Sequence, residues 1–263
     1  PFIQADLASQ GGLIPALGLL GDIDSMEWHE AIDRITPHVF RISTPDGTGS
    51  GWLVSRSQQN DLCVLATAAH VIDSAHFWEK PIRITHHQSG GSLLLRADDR
   101  AINVDSAKDT AAIIFNCRDL QVPQDNPTLF TRDYHLKPGN DIGWLGYPAV
   151  QGADLCFFHG HISAYLDSEE SYLVDGVAIN GVSGGPAFAK WGDTVEMIGL
   201  VSAYIPNRAT GIVLPGVALI RDINQYHDYA DRVRSLDEAQ AQQTAPKEPP
   251  PPSESEAQTR SKT

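Results

Sequence analysis

The chain has 263 residues, with 22 glycines and 17 prolines, and its 33 acidic against 19 basic residues give a net charge of −14 at pH 7. That length buries a sizeable core in one structural unit, and short apolar runs punctuated by turn residues point to a mostly β protein. Lysine and arginine are nowhere gathered into a patch that would neutralise phosphates, so nucleic acid is not an expected partner, and the acidic excess itself marks no substrate class.

In chain order, residues 1–24 read as an N-terminal extension. Its apolar stretch Gly11–Gly21 has no basic flank, contains Pro15 and is too short to cross a bilayer, so neither signal nor anchor nor membrane partner is expected. A cytoplasmic location follows as the expectation, with a periplasmic or secreted protein that has lost its leader as the alternative. Asp24 or Ser25 caps a short helix reaching Ile35, with Glu27 in its first turn, and Pro37 then forces an extended strand. A first β unit runs from about Val39 to Asn116 and a second from about Gly139 to Leu214. Residues 118–137, with Pro123, Asn126 and Pro127, form the crossing between them. A hairpin over Ala187–Val201 turns at Trp191, Gly192 and Asp193, and a helix from about Val217 to Arg234 packs behind. Residues 25–238 thus form the folded domain. From 239 to 263 the chain turns to Gln, Pro, Glu and Ser, with consecutive prolines from Pro249 to Pro252, and buries too little apolar surface to fold. A plain solvated linker is the preferred account of that tail; a groove-bearing partner for its polyproline stretch is the alternative.

Cys63, Cys117 and Cys156 are an odd number without disulfide or metal-ligand spacing, two of them inside apolar runs, and are expected as buried small hydrophobes. His86 with His87, and His159 with His161, have no acidic or cysteine partners at ligand spacing, so they are expected as surface or strand histidines. No metal and no cofactor is expected.

The chemistry is concentrated in Gly181, Val182, Ser183, Gly184, Gly185 and Pro186, a tight turn that presents a serine hydroxyl. A serine alcohol attacks only when a base takes its proton, and the base needs an orienting acid. His70 ends the run Val64–Ala69, where a strand passes into small residues, and Asp109 leads the apolar run Thr110–Phe115. The chain order histidine, aspartate, serine is that of double-barrel serine peptidases. The same loop satisfies the Gly-x-Ser-x-Gly elbow of α/β-hydrolase esterases, but that fold needs its acid and then its histidine after the serine. His227 is the sole downstream histidine, and glycine, glycine and proline make a poor helix start. Gly47–Gly51 is glycine-rich, yet no lysine followed by serine or threonine makes it a phosphate cradle.

On these motifs, together with Ala31–Ile42, Gly47–Val54, Pro138–Pro148, Gly160–Ala164, Gly199–Ala203 and Gly211–Leu214, the chain resembles the chymotrypsin-like (trypsin-like) serine peptidases from about Ile32 to Asn224. Within them it is most similar to HtrA-type and related bacterial members. The resemblance implies an all-β fold of two antiparallel six-stranded β-barrels with a short N-terminal and a C-terminal helix. It implies a serine endopeptidase with catalytic His70, Asp109 and Ser183, working through an acyl-enzyme, and an oxyanion hole along Gly181, Val182 and Ser183. It places the substrate wall at Val177, Ala178, Ser202, Ala203, Tyr204 and Gly211. Val177 stands where a trypsin carries a carboxylate, so small or medium apolar side chains are expected before the scissile bond. Two departures stand out: Val71 occupies the place where secreted relatives have a cysteine, and Val182 the place of the aspartate that pairs with a freed N-terminus in digestive zymogens. HtrA-type proteins usually carry a peptide-binding PDZ domain, and the segment after Ala239 is too short for one. A catalytically silent scaffold of the same fold is the competing expectation.

Overall fold

The computed structural model describes residues 26–150, 154–206 and 213–244, with the backbone alone for 203–206 and 213–215. Helix α1 (Trp28–Ile35) begins one turn later than the sequence suggests, because Glu27 and Glu30 form a reciprocal capping box. The Glu30 carboxylate accepts the Glu27 N–H at 2.9 Å, which satisfies an otherwise orphaned amide. Asp24 and Ser25 lie outside the described residues. Pro37 sits in a single 3₁₀ turn over Thr36–His38 and delivers the chain to the first strand.

The first half contains β1 (Val39–Thr44), β2 (Gly47–Arg56), β3 (Leu62–Thr67), α2 (Ala69–Phe77), β4 (Ile82–His86), β5 (Ser92–Leu95), β6 (Arg100–Asp105) and β7 (Thr110–Asn116). Its strands form one seven-stranded antiparallel sheet in the order β5-β4-β1-β2-β3-β7-β6, curled on itself without closing its hydrogen-bond ring. The count exceeds six because His86–Ser92 folds back as a hairpin and adds β5 at the edge, where Ile82 pairs with Leu95. The second half contains β8 (Asp141–Gly146), β9 (Cys156–Leu166), β10 (Ser171–Asp175), β11 (Pro186–Trp191), β12 (Thr194–Pro206) and β13 (Val213–Asp222), which close into a six-stranded barrel in the order β10-β13-β12-β11-β8-β9. The fold is therefore the all-β, two-unit architecture expected.

The unbroken apolar runs of the first half follow from burial on both faces. In β3, Cys63 and Leu65 enter the core of the curled sheet, where Phe40, Ile42, Leu53, Ile72 and Ile84 meet. Val64 and Ala66 point the other way, into the seam shared with the barrel and its helices, beside Trp52, Trp144, Val182 and Tyr226. Strand β2 is buried from Gly49 to Ser55 for the same reason.

Three expectations are corrected. Val217–Asp222 is strand rather than helix, because Val217 to Arg221 pair with β10 to close the barrel; helix α3 runs instead over Asn224–Thr244. The described part of the tail is thus helical to Thr244, and residues 245–263 lie outside the described residues. Cys63 and Cys117 are bonded as a disulfide between β3 and the end of β7, since antiparallel pairing of Cys63 with Phe115 brings Cys117 alongside. Cys156 is a free, half-buried thiol. Among the described residues no helix is long and apolar enough to cross a membrane.

Helix α3 is locked on the first half by Tyr226, fully buried, whose ring meets Trp52 edge-on at 5.7 Å and whose hydroxyl donates to the Ala111 carbonyl at 3.3 Å. Tyr226→Ala is expected to lower stability by about 3–5 kcal/mol in urea unfolding. Tyr226→Phe, which loses only the hydrogen bond, is expected to lower it by about 1 kcal/mol.

Candidate active site

Strand β3 ends at Thr67, whose hydroxyl donates to the Ser50 carbonyl at 2.8 Å, and the chain then enters α2 with His70 as its second residue. On the opposite strand, the β6–β7 turn is folded around Asp105, whose carboxylate accepts the N–H groups of Ala107 and Lys108 at 3.0 and 3.1 Å. That turn ends on Asp109, held in the left-handed region at φ 52°, which an aspartate tolerates better than most residues. The carboxylate so presented lies 2.9 Å from His70 Nδ1 through both oxygens, and also accepts the His70 backbone N–H at 3.0 Å. An ionised carboxylate only accepts, so Nδ1 carries the proton and Nε2 keeps its lone pair.

Asp109 is 19% exposed and His70 49%. The hydrogen bond to Asp109, opposed by partial burial and helped by the carboxylate charge and Asp73, raises the imidazole above its ordinary 6.5. Burial by itself pushes the Asp109 carboxyl up, but hydrogen bonds from His70 and Ser202, with the imidazole charge, outweigh it and hold the group below its ordinary 3.8.

Ser183 lies in the turn between β10 and β11. Its carbonyl accepts the Ser50 N–H at 2.8 Å, and the Ser50 hydroxyl, fully buried, donates to the Gly181 carbonyl at 2.8 Å while accepting the Tyr147 N–H at 2.9 Å. Gly181 at φ 92° and Gly184 at φ 83° have no alternative residue: a Cβ at the first would overlap the Tyr147 carbonyl oxygen, and at the second the Ser50 carbonyl oxygen. The Asn180 carbonyl is engaged by the Ala149 N–H at 2.7 Å, and peptide planarity turns the Gly181 N–H the opposite way. Among the described residues, the N–H groups of Gly181 and Ser183 have no hydrogen-bond partner, and the Ser183 hydroxyl makes no hydrogen bond to His70. Val182 is fully buried, and its N–H donates to the Ile179 carbonyl at 3.0 Å. His70, Ser183, Gly181, Asn180 and Ala149 line one cleft of about 440 Å³, continued by Thr44, Asp46, Gly47, Thr48, Asp73 and Ser74.

Of the three residues expected from distant parts of the chain, His70 and Ser183 therefore line one cleft, and Asp109 is bonded to His70 behind it. The other expected residues are distributed differently. Val177 is 47% exposed and its carbonyl accepts the Trp144 indole N–H at 3.1 Å, while Ala178 packs half-buried against the core. Ser202 is buried, and its hydroxyl donates to Asp109 Oδ2 at 2.6 Å rather than facing the cleft. Ala203 and Tyr204 lie on β12, paired with Leu219 and Ala218, and Gly211 lies outside the described residues. Ser50 is the residue that sequence reasoning missed: nothing in Gly47–Val54 signals that its side chain reaches across to the serine turn.

The competing sites resolve on geometry. Ser183 is followed by a strand and not a helix, and His227 bonds the Phe130 carbonyl at 2.8 Å, so no hydrolase elbow is present. Gly47–Gly51 is part of β2. His86 bonds the Pro37 carbonyl, and His87 the Tyr147 hydroxyl. His159 and His161 do acquire acidic neighbours that linear spacing hides, since pairing of β9 with β8 and β10 sets Asp141 and Asp175 beside them.

A closed β barrel and a curled β sheet that share a cleft lined by a serine and by a histidine bonded to an aspartate form the two-unit architecture of a serine-hydrolase fold. Residues 49–200 match the trypsin-like peptidase domain family, and the chain belongs to it. A crystal structure of the serine endoprotease from Yersinia pestis superimposes with a TM-score of 0.58 at 17% identity, covering 79% of this chain and 66% of that one. A crystal structure of Deg5 superimposes with a TM-score of 0.55 at 20% identity, covering 81% of this chain and 97% of that one. This chain therefore spans just under two thirds of the Yersinia protein's length. No curated protein matches it.

Because the folded state raises the His70 pKa above 6.5 and lowers that of Asp109 below 3.8, the pair stabilises the fold fully between these values. The contribution fades as pH rises through the folded His70 value or falls through the folded Asp109 value. Titration of the His70 ring by NMR is expected to give a pKa above 6.5, and Asp109→Asn, which keeps a residue tolerant of left-handed backbone, is expected to bring it down.

Proposed function

We propose that this chain is a serine endopeptidase. The observation that carries the reading is the convergence of His70, bonded to Asp109 at 2.9 Å, with Ser183 and the unpartnered Gly181 and Ser183 amides on one cleft. In the proposed reaction the Ser183 Oγ attacks a peptide carbonyl carbon as its proton passes to His70 Nε2. The tetrahedral oxyanion is held by the two amides, and His70 then protonates the departing amine as the carbon–nitrogen bond breaks. Water repeats the sequence on the acyl-enzyme: its proton goes to His70, its oxygen to the carbonyl, and Ser183 regains its hydrogen. Asp109 keeps the proton of the imidazole on Nδ1 and balances the imidazolium.

The substrate backbone is proposed to add to β12. Strand β11 pairs with it only as far as Leu200, and the nucleophile loop takes Val201 through Gly184 N–H and Gly185 C=O. Beyond Val201 that edge has no partner among the described residues, which suits an added strand. Val177, exposed and uncharged, supports a preference for small or medium apolar side chains before the cut.

Labelling with a fluorophosphonate is expected to modify Ser183 and to vanish in Ser183→Ala and His70→Ala, with peptide hydrolysis falling roughly 10⁴–10⁶-fold in either. A folded protein that neither labels nor cleaves is instead a silent scaffold. A peptide library cut chiefly after arginine or lysine would overturn the apolar preference while leaving the chemistry intact.

A further inference from the structure

Ser202 occupies a β-bulge. Leu200 and Val201 pair with Arg221 and Ile220, the register then slips, and Ala203 pairs with Leu219, so Ser202 is the extra residue of its strand. A bulge re-aims a side chain, and here the hydroxyl reaches Asp109 Oδ2 at 2.6 Å. On its other side the Ser202 hydroxyl oxygen accepts the Arg221 Nε–H at 3.3 Å. The Arg221 guanidinium is itself anchored, since Nη1 donates to the Ser171 hydroxyl at 2.8 Å and to the Glu169 carbonyl at 3.1 Å.

We propose that Arg221 is a positioning residue for this site, which fixes the direction in which the Ser202 hydroxyl donates its hydrogen bond to Asp109. A serine hydroxyl has one hydrogen and a free rotor, a guanidinium only donates, and an ionised carboxylate only accepts. With Arg221 Nε–H directed at the Ser202 oxygen, the hydroxyl hydrogen has one productive direction, toward Asp109. The chain of donation therefore runs from Arg221 to Ser202, to the Asp109 carboxylate, which also accepts from His70. It spans β13, β12, the β6–β7 turn and α2, and so links the closed barrel to the curled sheet.

The sign of the effect on His70 follows from the groups that face the pair. Asp73 on α2 adds negative charge, Tyr226 on α3 stands behind Asp109, and Lys108 is turned to Glu170. Asp46 at the cleft rim is paired with Lys80 at 2.8 Å. Arg221 is thus the cation linked to Asp109 through Ser202. Removing it takes away positive charge and frees the Ser202 rotor; both leave the carboxylate holding the imidazolium more strongly, so the His70 pKa rises.

The proposal rests on the peptidase reading, and the experiment separates the two. Arg221→Met and Arg221→Lys, each confirmed folded by near-UV circular dichroism, are expected to lower kcat about fivefold to tenfold with KM within about twofold. Lysine is included because it keeps the stem and charge but lacks the planar fork, so it folds if methionine does not. In either variant combined with Ser202→Ala, kcat is expected to match Ser202→Ala alone, because Arg221 acts through that hydroxyl. In Arg221→Met the acidic limb of kcat/KM and the NMR-measured pKa of His70 are expected to rise together, a change that a loss of packing alone does not produce. Unchanged kcat and unchanged His70 pKa in a folded variant would falsify the role of Arg221, as would penalties for Arg221 and Ser202 that multiply in the double variant. If the wild-type protein proves inactive, the peptidase reading fails, and the His70 titration still decides whether Arg221 acts on the pair.

Discussion

Asp109 and Ser202 belong to different β units, and the 2.6 Å hydrogen bond between them crosses the seam where the proposed site needs both sides in register. The proposed base and its acid, His70 and Asp109, come from the curled sheet, while the Ser183 turn comes from the barrel. Neither unit holds a complete site. Three polar contacts made by Ser50 add to the tie: its N–H reaches Ser183 and its hydroxyl reaches Gly181, each at 2.8 Å, and the same hydroxyl accepts the Tyr147 N–H at 2.9 Å. Hydrophobic burial brings the units together without direction; these few bonds supply the direction.

The same seam explains the electrostatics. A carboxylate that is one-fifth exposed is destabilised by the water it has lost, and on burial alone it would rise toward the neutral acid. Three donors reverse the balance: the backbone and ring of His70, and the hydroxyl of Ser202. Asp109 also carries a left-handed backbone, a conformation that costs of order 1–3 kcal/mol and persists only where surroundings over-determine it. The strained residue and the most heavily bonded carboxylate of the site are one and the same. Its backbone turns the carboxylate toward the seam.

Much of this was legible in the sequence where chemistry and local pattern coincide. The run into His70, the apolar strand behind Asp109 and the glycines around Ser183 mark both the element boundaries and the reacting groups. The apolar, turn-punctuated run from Val39 to Asn116 holds β1 to β7. What stayed hidden depends on pairing across distance. Val217–Arg221 looks like the start of a helix until β10 offers its edge, and Cys63 and Cys117 look unrelated until β3 and β7 lie side by side. The resemblance places Ser202 in the substrate wall, but the bulge at that residue turns its hydroxyl to Asp109 instead. Ser50 carried no signal at all, since one small polar residue between two glycines looks like an ordinary strand residue until its burial is known.

Val182 gives the serine turn its particular character. In place of a carboxylate that would wait for a charged partner, the turn has a fully buried valine, packed against the Gly146 backbone from β8. Its shape is then held from three directions: the Ile179 carbonyl within the turn, Ser50 from β2, and Val201 of β12, which takes the Gly184 N–H at 2.6 Å. None of these contacts involves an ionisable group, so the loop geometry is independent of pH across the range in which His70 titrates. Amides fixed in this way need no reorganisation when charge develops opposite them, which is the condition for electrostatic stabilisation to be large. Within this frame the hydroxyl of Ser183, the proposed nucleophile, has no hydrogen-bond partner among the described residues, while the turn that carries it is held on three sides.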